Sequence, residues 1–473
     1  MLFRIFNFIF VLLEVLLLFN VIIIVHEVGH FLAARWRGLY IEGFGVWFGK
    51  PIWQKKINGV QYSLGSIPAG GFVKLPQLAP MDVIEGEADV PREQLPPISA
   101  LDKTIVAFAG PLFSFGLAIL LACLVYVVGK PTSELERTTT IGFVEPGSPA
   151  ERAGLLPGDK ILEVDGHAVK RFSGMINSVS WFVVRSEGDH IAFKIERDGK
   201  VTTIESGWMK EPRKGWGRAG LRQVQIGPAM TSKVEKVETN TPAAEAGLKP
   251  GDVITHVNGQ RIFSPATLSE EIEQHPDRAV ALTVQRGDQW LNFSIQPKPL
   301  PSEEGKSRAR IGIAWDPGVT IIHPGPVQQI VDSVTTIGNM IGALASPKSD
   351  VKAQHFSGPV GIMRLYYTMF ESEQGWRMAL WFSVFFNVNL AILNLIPLPV
   401  LDGGHIVLAF IEAIRRKPVN VKVLEVIQSA CALFLIGYML YVTFFDVQDL
   451  PWRKLKPTDD TPAAATPATP KTK

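Results

Sequence analysis

Four stretches of this sequence are too long and too apolar for the interior of an ordinary soluble domain. Residues 5–25 are interrupted only by Asn7, Glu14 and Asn20, while 105–128, 378–401 and 426–445 carry no charge at all. A helix needs roughly 20 apolar residues to cross a bilayer, so four membrane spans are predicted. Only 19% of the 473 residues are charged, below the roughly 25% usual in soluble domains. The first run is too long for a signal-peptide core, and no small-residue cleavage site separates it from His26, Glu27 and His30, so it is read as a retained helix. The 47 basic and 45 acidic side chains nearly balance, which argues against nucleic acid as a partner. Cys123 and Cys431 lie in apolar runs without metal-type spacing, which excludes a disulfide framework and a cysteine zinc finger.

Basic residues close to the spans set the expected orientation. Arg35, Arg37, Lys50, Lys55, Lys56 and Lys103 lie between the first two runs, and Arg415, Arg416, Lys417 and Lys422 between the last two. Both connections are therefore expected in the cytoplasm, and the region from about 130 to 376 outside. Arg453, Lys454 and Lys456 after the fourth run oppose this assignment.

The outer region repeats itself at an offset of 93 residues. Ala153-Gly154-Leu155-Leu156-Pro157-Gly158-Asp159 and Val164-Asp165-Gly166 return as Ala246-Gly247-Leu248-Lys249-Pro250-Gly251-Asp252 and Val257-Asn258-Gly259. Gly-Asp supplies a tight turn, the alternating residues after it a strand, and Asp-Gly or Asn-Gly a hairpin turn. The pattern resembles the PDZ domain, a small α+β module that binds peptides by adding them as a strand to an open sheet edge. A pair of small β-domains serving only as a spacer or size filter is the simpler alternative.

The residues that bear chemistry lie in the apolar runs. In His26-Glu27-Val28-Gly29-His30 the two histidines are four apart, so on a helix they share a face and can hold one zinc ion, with Glu27 beside it as a general base. Burying ionisable groups in a membrane is costly unless they are paired or coordinated, so such groups point to function. A catalytic zinc needs a third protein ligand. Asp402 is the best candidate: Pro397 and Pro399 must break the third helix before it, and both sites come about 31–36 Å along parallel helices. His405 competes from the following turn.

His-Glu-x-x-His in the first span, Asn-x-x-Pro-x-Pro-x-Leu-Asp-Gly from Asn394 in the third and tandem PDZ-like repeats between the second and third resemble the site-2 protease family of intramembrane zinc metalloproteases. The resemblance implies that His26, His30 and Asp402 bind Zn2+ and that Glu27 activates water. It implies single-pass membrane substrates, such as an anti-sigma factor already trimmed outside, and remnant signal peptides, in a bacterial inner membrane with lipid around the spans. Gly65 to Lys74 resemble a membrane-associated β-hairpin, with Gly70, Gly71 and Phe72 on an edge strand open to substrate; an ordinary loop hairpin is the alternative. Asn389 and Asn394 are implied as substrate contacts, whereas Asn387 reads equally well as helix-to-helix glue. Phe356 to Ile362 resemble the Gly-Pro-x-Gly-Ile segment at the outer membrane surface.

The expected architecture is a multi-pass α-helical membrane protein with a membrane-associated β-hairpin and two outer PDZ domains. The first span with its histidines occupies 1–36, a cytoplasmic loop with the hairpin 37–103, and the second span 104–129. The PDZ domains occupy 130–215 and 216–315, followed by a linker with an amphipathic segment at 316–376. The third span covers 377–402, a cytoplasmic loop 403–424, the fourth span 425–446, and a disordered tail 447–473. The competing function is a catalytically silent membrane receptor that binds peptides through its PDZ pair.

Overall fold

The structure is a computed structural model that describes residues 2–78, 94–212, 215–301, 307–417 and 419–449. Residues 79–93 of the expected cytoplasmic loop, and the tail beyond 449 expected to be disordered, lie outside the described residues.

The first helix, α1 (Leu2–Trp36), runs unbroken through the His-Glu-x-x-His segment. It is followed by β1 (Gly43–Phe48), β2 (Trp53–Ile57), β3 (Val60–Leu64) and β4 (Ile67–Lys74). The expected hairpin is part of a larger element, a four-stranded mixed sheet in the order β2-β3-β1-β4. Asn58-Gly59, both at positive φ, closes β2 onto β3. β1 lies parallel to β3 and antiparallel to β4, which leaves β4 at the sheet edge. One face of the sheet joins α1 and the next helix through Ala34, Ile41, Val73 and Val106.

Helix α2 (Ala100–Val128) opens with a capping box in which Ser99 and Asp102 each satisfy the other's backbone N–H. Its end passes into β5 (Lys130–Thr132) and the duplicated region, called outer after the side on which it is expected. The first outer domain contains β6 (Lys160–Val164), β7 (His167–Ala168), β8 (Ile191–Arg197) and β9 (Lys200–Ser206), ordered β9-β8-β6-β7. The second contains β10 (Val253–Val257), β11 (Gln260–Arg261), β12 (Val280–Arg286) and β13 (Gln289–Ile295), ordered β13-β12-β10-β11. The duplication extends to irregularities: the ladder slips between Ile161 and Glu163 and again between Ile254 and His256. Gly154 and Gly247 end matching short helices at φ 85° and 87°, a left-handed conformation that favours glycine.

The expected boundary at 215 moves. Val224 belongs to the first core and Ile226–Pro228 pairs with Ile141–Val144, so the first domain continues to about 228. The second is closed by pairing of Val234–Val237 with Ile313–Trp315. Beyond it β14 (Thr320–Ile322) returns to pair with β5, bringing the two ends of the outer region together.

The segment expected as a linker holds two helices, α3 (Pro326–Ala345) and α4 (Pro359–Phe370). Gly358 and Gly361 each pack within van der Waals range of Asp446, whose Oδ2 accepts both of their N–H groups, at 2.8 and 2.9 Å. The third apolar run divides. α5 (Gly375–Asn394) ends eight residues before the expected boundary, because Pro397 and Pro399 cannot continue it, and α6 (Asp402–Arg415) starts at the aspartate. The expected 403–424 loop is therefore mostly helix. α7 (Val421–Gln448) is the last helix among the described residues.

Among the described residues, four helices are long and apolar enough to cross a membrane: Ile9–Trp36, Ala100–Val128, Gly375–Asn394 and Lys422–Gln448. α2 is central, packing on α1, α5 and α6. Leu13, Leu17, Leu120, Phe434 and Leu440 remain exposed around the helices, an apolar surface far larger than a soluble protein tolerates.

Candidate metal centre

His26 and His30 project from one face of α1 onto α2. The Nδ1 of His30 lies 2.8 Å from the Val106 carbonyl, and that of His26 lies 3.0 Å from Ser114 Oγ. A carbonyl oxygen only accepts, so the neutral His30 ring carries its proton on Nδ1 and presents a lone pair on Nε2. The close approach of α1 and α2 depends on two glycines. A Cβ on Gly29 would lie 2.5 Å from the Ala109 carbonyl oxygen, and one on Gly110 would lie 2.2 Å from His30 Nε2.

Asp402 arrives from the broken third run. Leu398 donates to the Ile396 carbonyl, Leu401 to that of Leu398 and Gly404 to that of Leu401, which coils the chain tightly into α6. Side chains at 403 and 404 would strike the Leu395 and Leu398 carbonyls, so the turn requires both glycines. The carboxylate at the start of α6 also lies at the favourable end of the helix dipole.

Three donors converge. The two Nε2 atoms are 3.2 Å apart; Asp402 Oδ2 lies 3.2 Å from His26 Nε2 and Oδ1 lies 3.3 Å from His30 Nε2. Bonds of about 2.0–2.1 Å from a tetrahedral zinc require donor separations of about 3.3–3.4 Å. Asp402 Oδ2 is also buried without a hydrogen-bond donor of suitable geometry. Two imidazoles, one carboxylate and an unsatisfied oxygen at these separations fit zinc. His26, His30 and Asp402 form the only such group of potential ligands among the described residues, and His405, the competing candidate, is outside it.

The three donors line a cavity of about 290 Å³ together with Glu27, Gly71, Phe72, Asn394 and His405. Gly71 brings the edge of β4 against Glu27, since a Cβ there would lie 3.2 Å from Glu27 Cγ. Gly70 does not line the cavity; it has φ +82° and its α-carbon faces the Phe48 ring. Phe48 in turn stacks on Phe72. The two asparagines implied as substrate contacts separate: Asn394 lines the cavity and Asn389 does not. Asn387 is buried within its own helix and donates to the Ser383 carbonyl at 2.8 Å. Sequence reasoning passed over Gly110 and Ser114. Their signal was present, since they sit one helical turn apart in an otherwise apolar run.

The sequence pattern of Peptidase family M50 matches residues 14–438. A candidate zinc metalloprotease of Neisseria meningitidis is 32% identical over 454 residues, covering 91% of this chain and 97% of its own. The regulator of sigma-E protease of Escherichia coli is 29% identical over 455 residues, 90% and 96% of the two chains. A crystallised PDZ domain of an SdrC-like protein from Listeria monocytogenes is 24% identical, covering 20% of this chain and 93% of its own, with a TM-score of 0.16. With a match that spans nine-tenths of its length, the chain belongs to peptidase family M50.

Proposed function

We propose that this intramembrane zinc metalloprotease cuts single-pass membrane proteins within the bilayer, with His26, His30 and Asp402 as zinc ligands and Glu27 as the proton carrier. The observation that carries the assignment is the triangle of donors at 3.2–3.3 Å with Glu27 in the same cavity. Zinc held there supplies a Lewis acid that makes water nucleophilic near neutral pH and polarises the scissile carbonyl.

Glu27 accepts a proton from the attacking water as oxygen bonds to the carbonyl carbon. It then delivers that proton to the amide nitrogen as the C–N bond breaks. A substrate helix must unwind before its peptide bonds can be reached, and the freed N–H and C=O groups must be satisfied within the membrane. The open edge of β4, at Gly71 and Phe72, offers backbone partners next to Glu27. Asn394 adds a polar group to the same cavity.

The Escherichia coli relative is named for regulation of sigma-E, which makes a membrane-anchored anti-sigma factor the substrate class to test first. Remnant signal peptides have the same single-span chemistry. In this reading the sheet and the 403–424 connection are cytoplasmic, and the two outer domains are periplasmic PDZ modules that exclude substrates with intact outer domains.

The test is co-expression with a panel of the host's single-pass membrane proteins. Glu27→Gln should reduce cleavage by at least about 10²- to 10⁴-fold while the purified variant keeps its zinc. Zinc lost in proportion to activity would show that Glu27 is a ligand rather than a proton carrier.

A further inference from the structure

The contacts that fix the two histidines lie along one face of α2. Val106 offers its carbonyl to His30, Gly110 makes room for both rings, and Ser114 meets His26. Residues three or four apart share a helix face, and one turn before Val106 that face carries Lys103. The Lys103 ammonium donates to Glu412 Oε2 on α6. Both side chains are nearly buried, 10% and 11% exposed. Oε1 of Glu412 accepts the Val419 N–H at 3.2 Å and so also ties down the chain leaving α6.

We infer that Lys103 and Glu412 are positioning residues whose ion pair holds α6 in register along α2, and thereby holds Asp402 at bonding range of the histidines. The inference rests on the reading of Asp402 as a zinc ligand. α6 begins at Asp402, and Glu412 lies ten residues on, about 15 Å along a stiff rod. A pin at one end therefore sets the axial position of the other. The first turn of α6 cannot provide that pin, because Gly403 and Gly404 lie against the backbone of 395–399 and have no side chains to interlock. Val407, Phe410, Ile411 and Ile414 are exposed, and the buried Ala409 is too small to interlock. A buried ion pair is a poor source of net stability compared with apolar packing, but it specifies register well.

The experiment is equilibrium competition for zinc against a chelator, using the full-length protein in detergent, with thermal unfolding of the zinc-free form measured alongside. Lys103→Met and Glu412→Gln should each weaken zinc binding by about tenfold, the lower end of what loss of an outer partner costs a metal site. Lys103→Arg, which keeps the charge, should stay close to wild type. The double variant Lys103→Met/Glu412→Gln should bind zinc no more weakly than either single one, because both lose the same interaction. If Lys103→Met does not fold, Glu412→Gln, which preserves shape, carries the test. Wild-type zinc affinity in the single variants, with a lower unfolding temperature of the zinc-free protein, would overturn the inference and leave the pair a role in the fold alone. Losses that add in the double variant would overturn it as well. Asp402→Asn in the same series separates the two claims: if it loses zinc while the Lys103 and Glu412 variants do not, only the positioning role fails. If it retains zinc, the ligand assignment fails and the positioning role with it.

Discussion

Aspartates are buried in the outer domains and at the metal centre, and they are satisfied in opposite ways. Asp159 and Asp252, at matching places in the duplicated domains, have side chains 2% and 1% exposed. Each is saturated. Arg197 Nε and Nη2 donate to the two oxygens of Asp159 at 2.5 and 2.6 Å, and Leu156 N–H adds a third bond at 2.8 Å. Arg286 and Lys249 N–H do the same for Asp252. Asp402 faces two imidazoles and no guanidinium, and its Oδ2 is the only buried carboxylate oxygen without a hydrogen-bond donor among the described residues. A buried acid whose lone pairs are all occupied holds a turn together. One left short of donors beside two histidines has capacity for a cation.

This contrast breaks most readily at the membrane end. Gly110→Ala would place a methyl group 2.2 Å from His30 Nε2 and 2.8 Å from His26 Nε2. Zinc affinity and cleavage should fall together by about 100-fold, as for loss of a strong supporting contact, with the outer domains intact. Metal analysis beside a cleavage assay checks this, and unchanged zinc binding would mean that the helices have room the structure does not show.

The converse change lies in the second outer domain. Arg286→Ala leaves Asp252 buried without its cation and should lower the unfolding temperature of that domain, with zinc content unchanged. Thermal unfolding of the outer region checks it. The pair also carries a pH dependence. Burial pushes the Asp252 carboxyl up, but the Arg286 hydrogen bonds and the Lys249 N–H hold it below the ordinary carboxylate range. A depressed folded-state pKa contributes stability above the unfolded value of about 3.9, and that contribution is lost as pH falls through the lower folded value. Wild type should therefore lose its advantage over Arg286→Ala only under strongly acidic conditions.

The smallest effect on chemistry should come from removing that domain altogether. Its first and last strands pair, and Lys233 meets Asp316 at 2.9 Å, so deletion of 234–315 joins neighbouring ends. Cleavage of a trimmed substrate should persist, and a substrate with its outer domain intact should now be cut. Slow cleavage of the trimmed form by a folded, zinc-loaded deletion protein would instead mark the domain as a docking receptor.

Much of this was legible in the sequence because it depends on local spacing. Apolar runs, two histidines four apart and a repeat with its turn residues each fix geometry within a few residues. What escaped depends on pairing between distant positions. β1 pairs with β3 in parallel, so Gly65 to Lys74 looked like a hairpin although they belong to a four-stranded sheet. Asp402-Gly403-Gly404 carried turn chemistry yet begins a helix, because Leu395 to Leu401 have already made the turn. Asn389 and Asn394 differ by five positions, about 140° around a helix, so both could not face one cavity. The Lys103–Glu412 pair spans 309 positions and has no sequence signature.

The most direct test of the distinction between the two kinds of aspartate is zinc stoichiometry in purified wild type, Asp402→Asn and Asp252→Asn. Wild type and Asp252→Asn should each hold one zinc per chain, and Asp402→Asn should lose it under the same dialysis. A full zinc complement in Asp402→Asn, with cleavage intact, would contradict the assignment of the unsatisfied carboxylate as the third ligand.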